Sequence, residues 1–332
     1  MAFLMVFIIT FGAGGCTSDK QVIAQAAEVH TSLEKAVITD PVLANYLQEV
    51  GDRVIEQAAK LSAQGKAPKK HLSDDTSWMF DGRMKFHFVN SRTLNAFTTG
   101  GEHMYIYTAL FQQCRSEDEL AGVVAHEFAH VYGRHVQKGM DRQIPLLAGG
   151  ALLGAAAGYA VAGEDNRATG LAAGAAVGMA GGQFFNLGFT RDDEYEADKY
   201  GFRFYVRAGW DPDKFADFFK QMIEKGYDTT PEIVSSHPSL KNRVERARKM
   251  AEDLDPEDRA RWRRAPVAGP ARFKELQERS VRVGKDMPSD TTLAGAQELL
   301  QALPRSCVTP IEQFDDQRQA QERLAERARR QQ

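Results

Sequence analysis

The sequence has no surplus of positive charge. Its 42 Lys and Arg residues face 45 Asp and Glu, for a net charge of −3. A nucleic-acid binder needs a basic face to meet phosphate, so that class is set aside. Cysteine is scarce: three in 332 residues, enough for one disulfide at most. The apolar run at residues 3–11 is too short to span a bilayer and has the length of a signal-peptide core. No basic residue precedes that run. With 43% apolar and 26% charged residues, the chain has the composition of an ordinary globular protein with room for a sizeable core.

What is present is more specific. His126-Glu127-Phe128-Ala129-His130 reads HExxH. Residues four apart on a helix project from nearly the same face, so two imidazoles so placed can bind one zinc ion. The glutamate beside the first can then deprotonate a water at the metal. Ser116 followed by Glu119 predicts a capping box, and Leu120, Val123, Val124, Phe128 and Val131 supply an apolar stripe at helical spacing. The expected helix buries that side and presents both histidines on another. Two ordinary histidines on a half-buried helix is the alternative, but it leaves Glu127 unexplained in so apolar a run.

A catalytic zinc site takes three protein ligands and keeps one position open. Gly133 would suit HExxHxxGxxH, but Val136 stands where that pattern needs histidine, and His135 is one residue early. A carboxylate from a downstream helix is the other source. Arg191 to Asp198 reads RDDEYEAD, with Thr190 as a cap and acids suited to a positive helix N-terminus. Glu194 and Asp198 share a face. One can bind zinc while the other orients a ligating histidine. A solvated acidic first turn is the competing reading.

HEFAH followed some sixty residues later by ExEAD resembles the zinc metallopeptidases that include HtpX and the CAAX prenyl protease. Asn95-Ala96-Phe97, Gly100-Gly101 and Met104-Tyr105-Ile106-Tyr107 resemble the segment before the family's zinc helix. Ser236-His237-Pro238 with Arg243 and Arg246 resembles its closing segment. The similarity spans roughly residues 40–250 and is greatest to the family's periplasmic branch. It implies a zincin-type fold with His126, His130 and Glu194 binding one zinc ion, Glu127 as general base, and Asp198 and Arg243 behind the ligands. His135 fits the family's non-ligating histidine after HExxH. The resemblance also puts His237 near the metal, as a plug of the open position or as a donor to the oxyanion with Arg243 beside it. An ordinary loop histidine is the other reading of His237. Substrate is expected to add as an extended strand beside Met104, Tyr105, Ile106 and Tyr107.

The apolar run leads into Ala13-Gly14-Gly15-Cys16. Small residues before a cysteine predict a lipoprotein cleavage site with Cys16 acylated, although Ala13 stands where leucine is usual. A simple secretory signal is the alternative, and either exports the chain. Thr17 is not the aspartate that retains lipoproteins at the inner membrane, which favours the outer membrane. Cys114 and Cys307 then remain to pair or to stay as separate thiols.

Three regions are expected: a signal peptide at 1–15, a metallopeptidase domain at 16–255 and a charged extension at 256–332. Residues 20–63 read as helical, Lys85–Val89 and Met104–Tyr107 as strands, and the rest up to 250 as helical, giving a mainly α fold with a small sheet (α+β). Within 144–190, glycines recur every four residues on either side of Glu164-Asp165-Asn166-Arg167. That spacing predicts a close-packed helical hairpin, soluble or touching the membrane rather than spanning it. The expected function is a zinc endopeptidase of the bacterial cell envelope. It would cleave unfolded or misassembled proteins, outer-membrane proteins among them. A chaperone-like client-binding lipoprotein is the alternative.

Overall fold

The computed structural model describes residues 18–65, 76–142, 189–226 and 239–289. Cys16, His237, Cys307 and the glycine-rich segment up to residue 188 lie outside the described residues. Within them the fold is mainly helical with one small sheet, as the sequence predicts.

The helical reading of 20–63 resolves into two helices, α1 (Asp19–Leu33) and α2 (Pro41–Ala63). Proline has no N–H to donate and disfavours helix in the residue before it, so the chain breaks at Pro41 and restarts there. Asp40 caps α2, accepting from the N–H groups of Val42 and Leu43 at 3.1 Å each. Leu43, Leu47, Val50, Val54, Ala58 and Leu61 then form the buried stripe of α2. Gly51 sits where a Cβ would fall 2.2 Å from the Phe86 ring, so a side chain there would push α2 off the sheet.

The sheet has three strands: β1 (Lys85–Val89), β2 (Ala96–Thr98) and β3 (His103–Tyr107), in the order β1-β3-β2. β1 pairs with β3 in parallel, Lys85 opposite His103 and Val89 opposite Tyr107. β2 pairs antiparallel, Phe97 opposite Tyr105. Side chains alternate between the faces. Phe86, Phe88, Met104 and Ile106 join the main core with α2 and with α4 (Glu117–Tyr132). Val89, Phe97, Tyr105 and Tyr107 pack on the other face against Val29 and Leu33 of α1.

This order corrects one expectation. Met104, Tyr105, Ile106 and Tyr107 lie in the central strand, with both backbone edges engaged, so no further strand can add beside them. β1 is partly covered on its outer side: Ile38 N–H donates to the Phe88 carbonyl at 2.8 Å and Val37 bridges Val89. Among the described residues, β2 is left as the edge. At three residues it was too short to be seen as a period-2 pattern.

A short helix, α3 (Thr108–Gln113), leads to α4. Beyond it follow α5 (Arg191–Ala208), α6 (Asp217–Glu224), α7 (Leu240–Glu252), α8 (Pro256–Trp262) and α9 (Pro270–Gly284). The packing does not stop at residue 255. Ala268, Phe273 and Leu276 enter the main core, and Arg279 pairs with Asp40 at 2.7 Å. The buried Glu117 at the start of α4 holds the connecting segment. It accepts from the Val267 N–H at 2.7 Å, Trp210 Nε1 at 2.9 Å and Tyr46 Oη at 3.2 Å, and from the Ala268 N–H. A carboxylate taken from water needs this many donors to remain charged. At the other end of α4, Arg134 takes a left-handed conformation (φ 56°) and ion-pairs with the buried Asp19 of α1. Trp78 and Gln137 also donate to Asp19, which locks the start of α1 to the end of α4.

Among the described residues, no helix is long and apolar enough to cross a membrane. Cys114 is buried and has no disulfide partner among the described residues; Cys307 lies outside them.

Candidate metal centre

α4 is buried around its whole circumference rather than on one side. Its apolar stripe predicts the face against the core. The opposite face is covered too, because α5 and α6 pack over it. Ser116 is the N-cap in extended conformation, but its hydroxyl makes no capping bond. Glu119 reaches past it to the Arg115 N–H at 2.7 Å. The cap expected on α5 does form: Thr190 Oγ1 accepts from the Asp193 N–H at 3.2 Å, and the Asp193 carboxylate accepts from the Thr190 N–H at 3.0 Å. This fixes where α5 starts and puts Glu194 in its first turn, where the helix dipole favours a carboxylate.

Gly201 decides how close α5 comes to α4. A Cβ there would lie 3.0 Å from the His126 Cα and 3.1 Å from the Ala125 carbonyl carbon, so glycine permits backbone contact. Glu194, two turns earlier on α5, then falls beside the histidines of α4. His126 Nε2 and His130 Nε2 are 3.0 Å apart. Glu194 Oε2 is 3.5 Å from the first and 4.0 Å from the second. All three residues are 0% exposed. A tetrahedral zinc ion with ligand bonds of ~2.0–2.2 Å would place its donors roughly 3.3 Å apart, so two imidazoles and a carboxylate converging at these distances fit one such ion. Glu127, next to His126 in the chain, is buried as well.

Each donor is held from behind. His126 Nδ1 lies 3.0 Å from Asp198 Oδ1, which leaves Nε2 facing Glu194 and His130. Arg243 of α7 grips Asp198 with two bonds, Nε to Oδ2 at 2.9 Å and Nη2 to Oδ1 at 2.6 Å. Its Nη1 is 3.5 Å from Glu194, and its guanidinium lies 4.0 Å over the Phe219 ring. Burial would raise the Asp198 carboxyl, but Arg243 and the bond from His126 outweigh it and hold it below the ordinary value. Burial pushes His130 well below the usual imidazole value, with Glu194 opposing, so its lone pair is open to a metal.

His130 has its own support. His130 Nδ1 is 2.9 Å from His135 Nδ1, and His135 Nε2 is 3.2 Å from Glu196 Oε2, which Lys138 holds at 2.8 Å. The bond from His135, with Lys138 adding to it, takes the Glu196 carboxyl down to about 2 against the opposing effect of burial. The Phe189 ring stacks on His130 at 3.8 Å. The sequence reading marks His135 as a non-ligand, and here it is a brace for a ligand. It misses the parts of Glu196, Phe189 and Gly201. Only Gly201 left a signal, as a glycine inside an otherwise helical stretch.

The structure thus brings together His126, His130, Glu194, Asp198 and Arg243 out of the expected residues, with Glu127 buried next to His126 in the chain. A family model described as "Peptidase family M48" matches residues 42–251. The chain is 31% identical over 229 residues to the putative beta-barrel assembly-enhancing protease of Vibrio cholerae, covering 66% of this chain and 41% of that protein. It is 30% identical over 228 residues to the beta-barrel assembly-enhancing protease of Escherichia coli, with the same coverage of each. The mitochondrial metalloendopeptidase OMA1 of Saccharomyces cerevisiae is 30% identical over 189 residues, 54% of this chain and 50% of that protein. The chain thus spans about two fifths of the length of the bacterial relatives it matches.

Proposed function

The chain belongs to peptidase family M48, and on that premise we propose that it is a zinc-dependent endopeptidase of the bacterial cell envelope. The observation that carries this reading is the convergence of His126 Nε2, His130 Nε2 and Glu194 Oε2 at 3.0–4.0 Å, with Glu127 in the same helical turn. When bound, zinc polarises the scissile carbonyl and makes an adjacent water acidic near neutral pH. Glu127 accepts the proton of the attacking water on its carboxylate and delivers it to the leaving amine. Asp198 holds His126 through Nδ1, so that Nε2 faces Glu194 and His130, and Arg243 keeps Asp198 charged. The His135–Glu196 pair does the same service for His130.

An extended peptide pairing with the edge strand β2 would be held by main-chain bonds that read little sequence. That suits unfolded or misassembled proteins as substrates, and the name of the bacterial relatives, beta-barrel assembly-enhancing protease, supports outer-membrane proteins among them. Acylation of Cys16 would anchor the chain on the periplasmic side, with the outer membrane favoured. His237 is assigned by family resemblance alone, as a plug or as an oxyanion donor. His237→Ala raises casein cleavage in the first case and lowers it in the second. The complete donor set stands against a client-binding protein without catalysis.

The test is casein digestion with metal analysis, with and without chelator, on the wild type and Glu127→Gln. The wild type should carry one zinc per catalytic site and lose activity to chelator. The variant should keep that zinc and lose at least ~10²-fold in rate. A variant retaining more than a tenth of the activity overturns the assignment of Glu127.

A further inference from the structure

A second group of potential metal donors lies on the far side of the sheet from the catalytic helix. His30 comes from α1, His87 from β1 and His103 from β3, and one ring nitrogen from each lies within 4.8 Å of the other two. The strand pattern brings them together. Phe86 and Phe88 point into the main core, so His87 between them points to the α1 face. On β3, Met104 and Ile106 point into the core, so His103 shares the α1 face with Tyr105 and Tyr107. The parallel register sets Lys85 opposite His103 and His87 opposite Tyr105, which makes His87 and His103 diagonal neighbours. α1 packs over this face, and His30 comes down on the pair.

The three rings lie close together, with His87 Nε2 2.9 Å from His103 Nδ1. The His30 ring stacks nearly parallel on His103 at 4.0 Å and lies 4.7 Å from His87, so one ring must turn about its side-chain bonds for all three lone pairs to meet at one ion. His30 Nδ1 is held by Tyr105 Oη at 3.2 Å, which leaves Nε2 for a metal, in the way outer partners orient metal-binding imidazoles. All three histidines are half-buried, so an ion can reach them from solvent.

We propose that His30, His87 and His103 form a second metal site, which takes one late first-row divalent ion such as Zn2+ or Cu2+ through three imidazoles and pins α1 to the sheet. An all-imidazole set selects such ions over Mg2+ or Ca2+, which prefer oxygen. Burial, together with the neighbouring imidazoles and Lys85, lowers His87 to about 3 and His103 to about 4, so protons do not compete for their lone pairs at neutral pH. The ion would cross-link a helix to two strands that the main core does not itself tie to that helix. It lies across the sheet from Glu127, so its role is to fix α1 rather than to take part in hydrolysis.

The test is a titration with Cu2+ of protein brought to one zinc per chain, followed by electron paramagnetic resonance and by mass spectrometry of retained zinc. One equivalent of copper should bind without displacing the catalytic zinc, with hyperfine structure from nitrogen ligands. His87→Gln, His103→Gln and His30→Gln should each weaken that binding at least ~10-fold, while casein cleavage stays unchanged. Glu127→Gln should bind copper like the wild type, so a failure of the peptidase assignment leaves this result readable. His30→Gln, on a helix face, covers the case in which a strand substitution unfolds the protein. Absence of an added equivalent, displacement of zinc as the sole uptake, or full binding in the histidine variants overturns the second site.

Discussion

Two groups of histidines among the described residues, His126 with His130 and His30 with His87 and His103, differ in what stands behind them. His126 and His130 are 0% exposed, face Glu194, and are braced by Asp198, Arg243 and the His135–Glu196 pair. His30, His87 and His103 are half-buried, with Tyr105 as the brace and no carboxylate among the donors. A buried ion in the first group meets fixed negative charge in a water-poor interior, where electrostatic effects are large. An ion in the second meets neutral ligands at a partly wet surface. The first arrangement suits activation of a bound water, and the second suits a structural clasp.

The comparison breaks most visibly at Glu127. Glu127→Gln should cost at least ~10²-fold in casein hydrolysis with zinc content intact, whereas His87→Gln should leave hydrolysis unchanged. Equal losses in the two variants, read by initial rates, would mean that the groups are not functionally separate.

Next come the braces. Asp198→Asn and Arg243→Lys should each weaken zinc binding by ~10–100-fold, as measured by competition with a chromogenic chelator. Glu194→Ala should lower zinc occupancy further still. Glu196→Ala, which touches only the brace of His130, should fall well short of that. An order with Glu196 ahead of Glu194 would put the third ligand on the wrong residue.

Gly201→Ala tests the helix contact itself. The new methyl meets backbone of α4, which cannot swing aside as a side chain could. A loss of ~1–3 kcal/mol in denaturant unfolding is expected, together with reduced zinc occupancy. A variant as stable and as zinc-loaded as the wild type would show that α5 is not held at this distance by Gly201.

The smallest effect is a pH dependence from the second group in chelator-treated protein. His87 and His103 have folded values of about 3 and about 4 against 6.5 unfolded, so the unfolded chain binds more protons between those limits. Their contribution to stability is therefore complete above ~6.5 and is lost as pH falls through the window, at no more than ~1.4 kcal/mol per pH unit for each histidine and less for the more exposed His103. Unfolding midpoints of His87→Gln should fall less steeply between pH 6.5 and 4. Parallel curves would remove His87 as the source.

HExxH, the Thr190 cap and the shared face of Glu194 and Asp198 were legible because each is set within one or two turns of a helix, where spacing alone fixes direction. Pro41 was there to be read as a helix start but was hidden inside a long apolar pattern. β2 was not legible, since three residues carry no usable period and their strand character comes from pairing with β3. That same pairing closed the edge of Met104–Tyr107 that the sequence left open. Local spacing also suggested a one-sided α4, because the covering of its other face comes from residues more than sixty positions away.

By itself, then, the sequence determined that two imidazoles and a glutamate share one helix, and that an acidic helix start follows some sixty residues on. Only the tertiary structure decided that these meet, since Gly201 must first let α5 touch the backbone of α4. It also decided that Arg243 closes the set behind Asp198 and that three scattered histidines gather on the far face of the sheet. Those contacts join residues from 16 to more than a hundred positions apart, and their geometry depends on packing between elements, which no local period records.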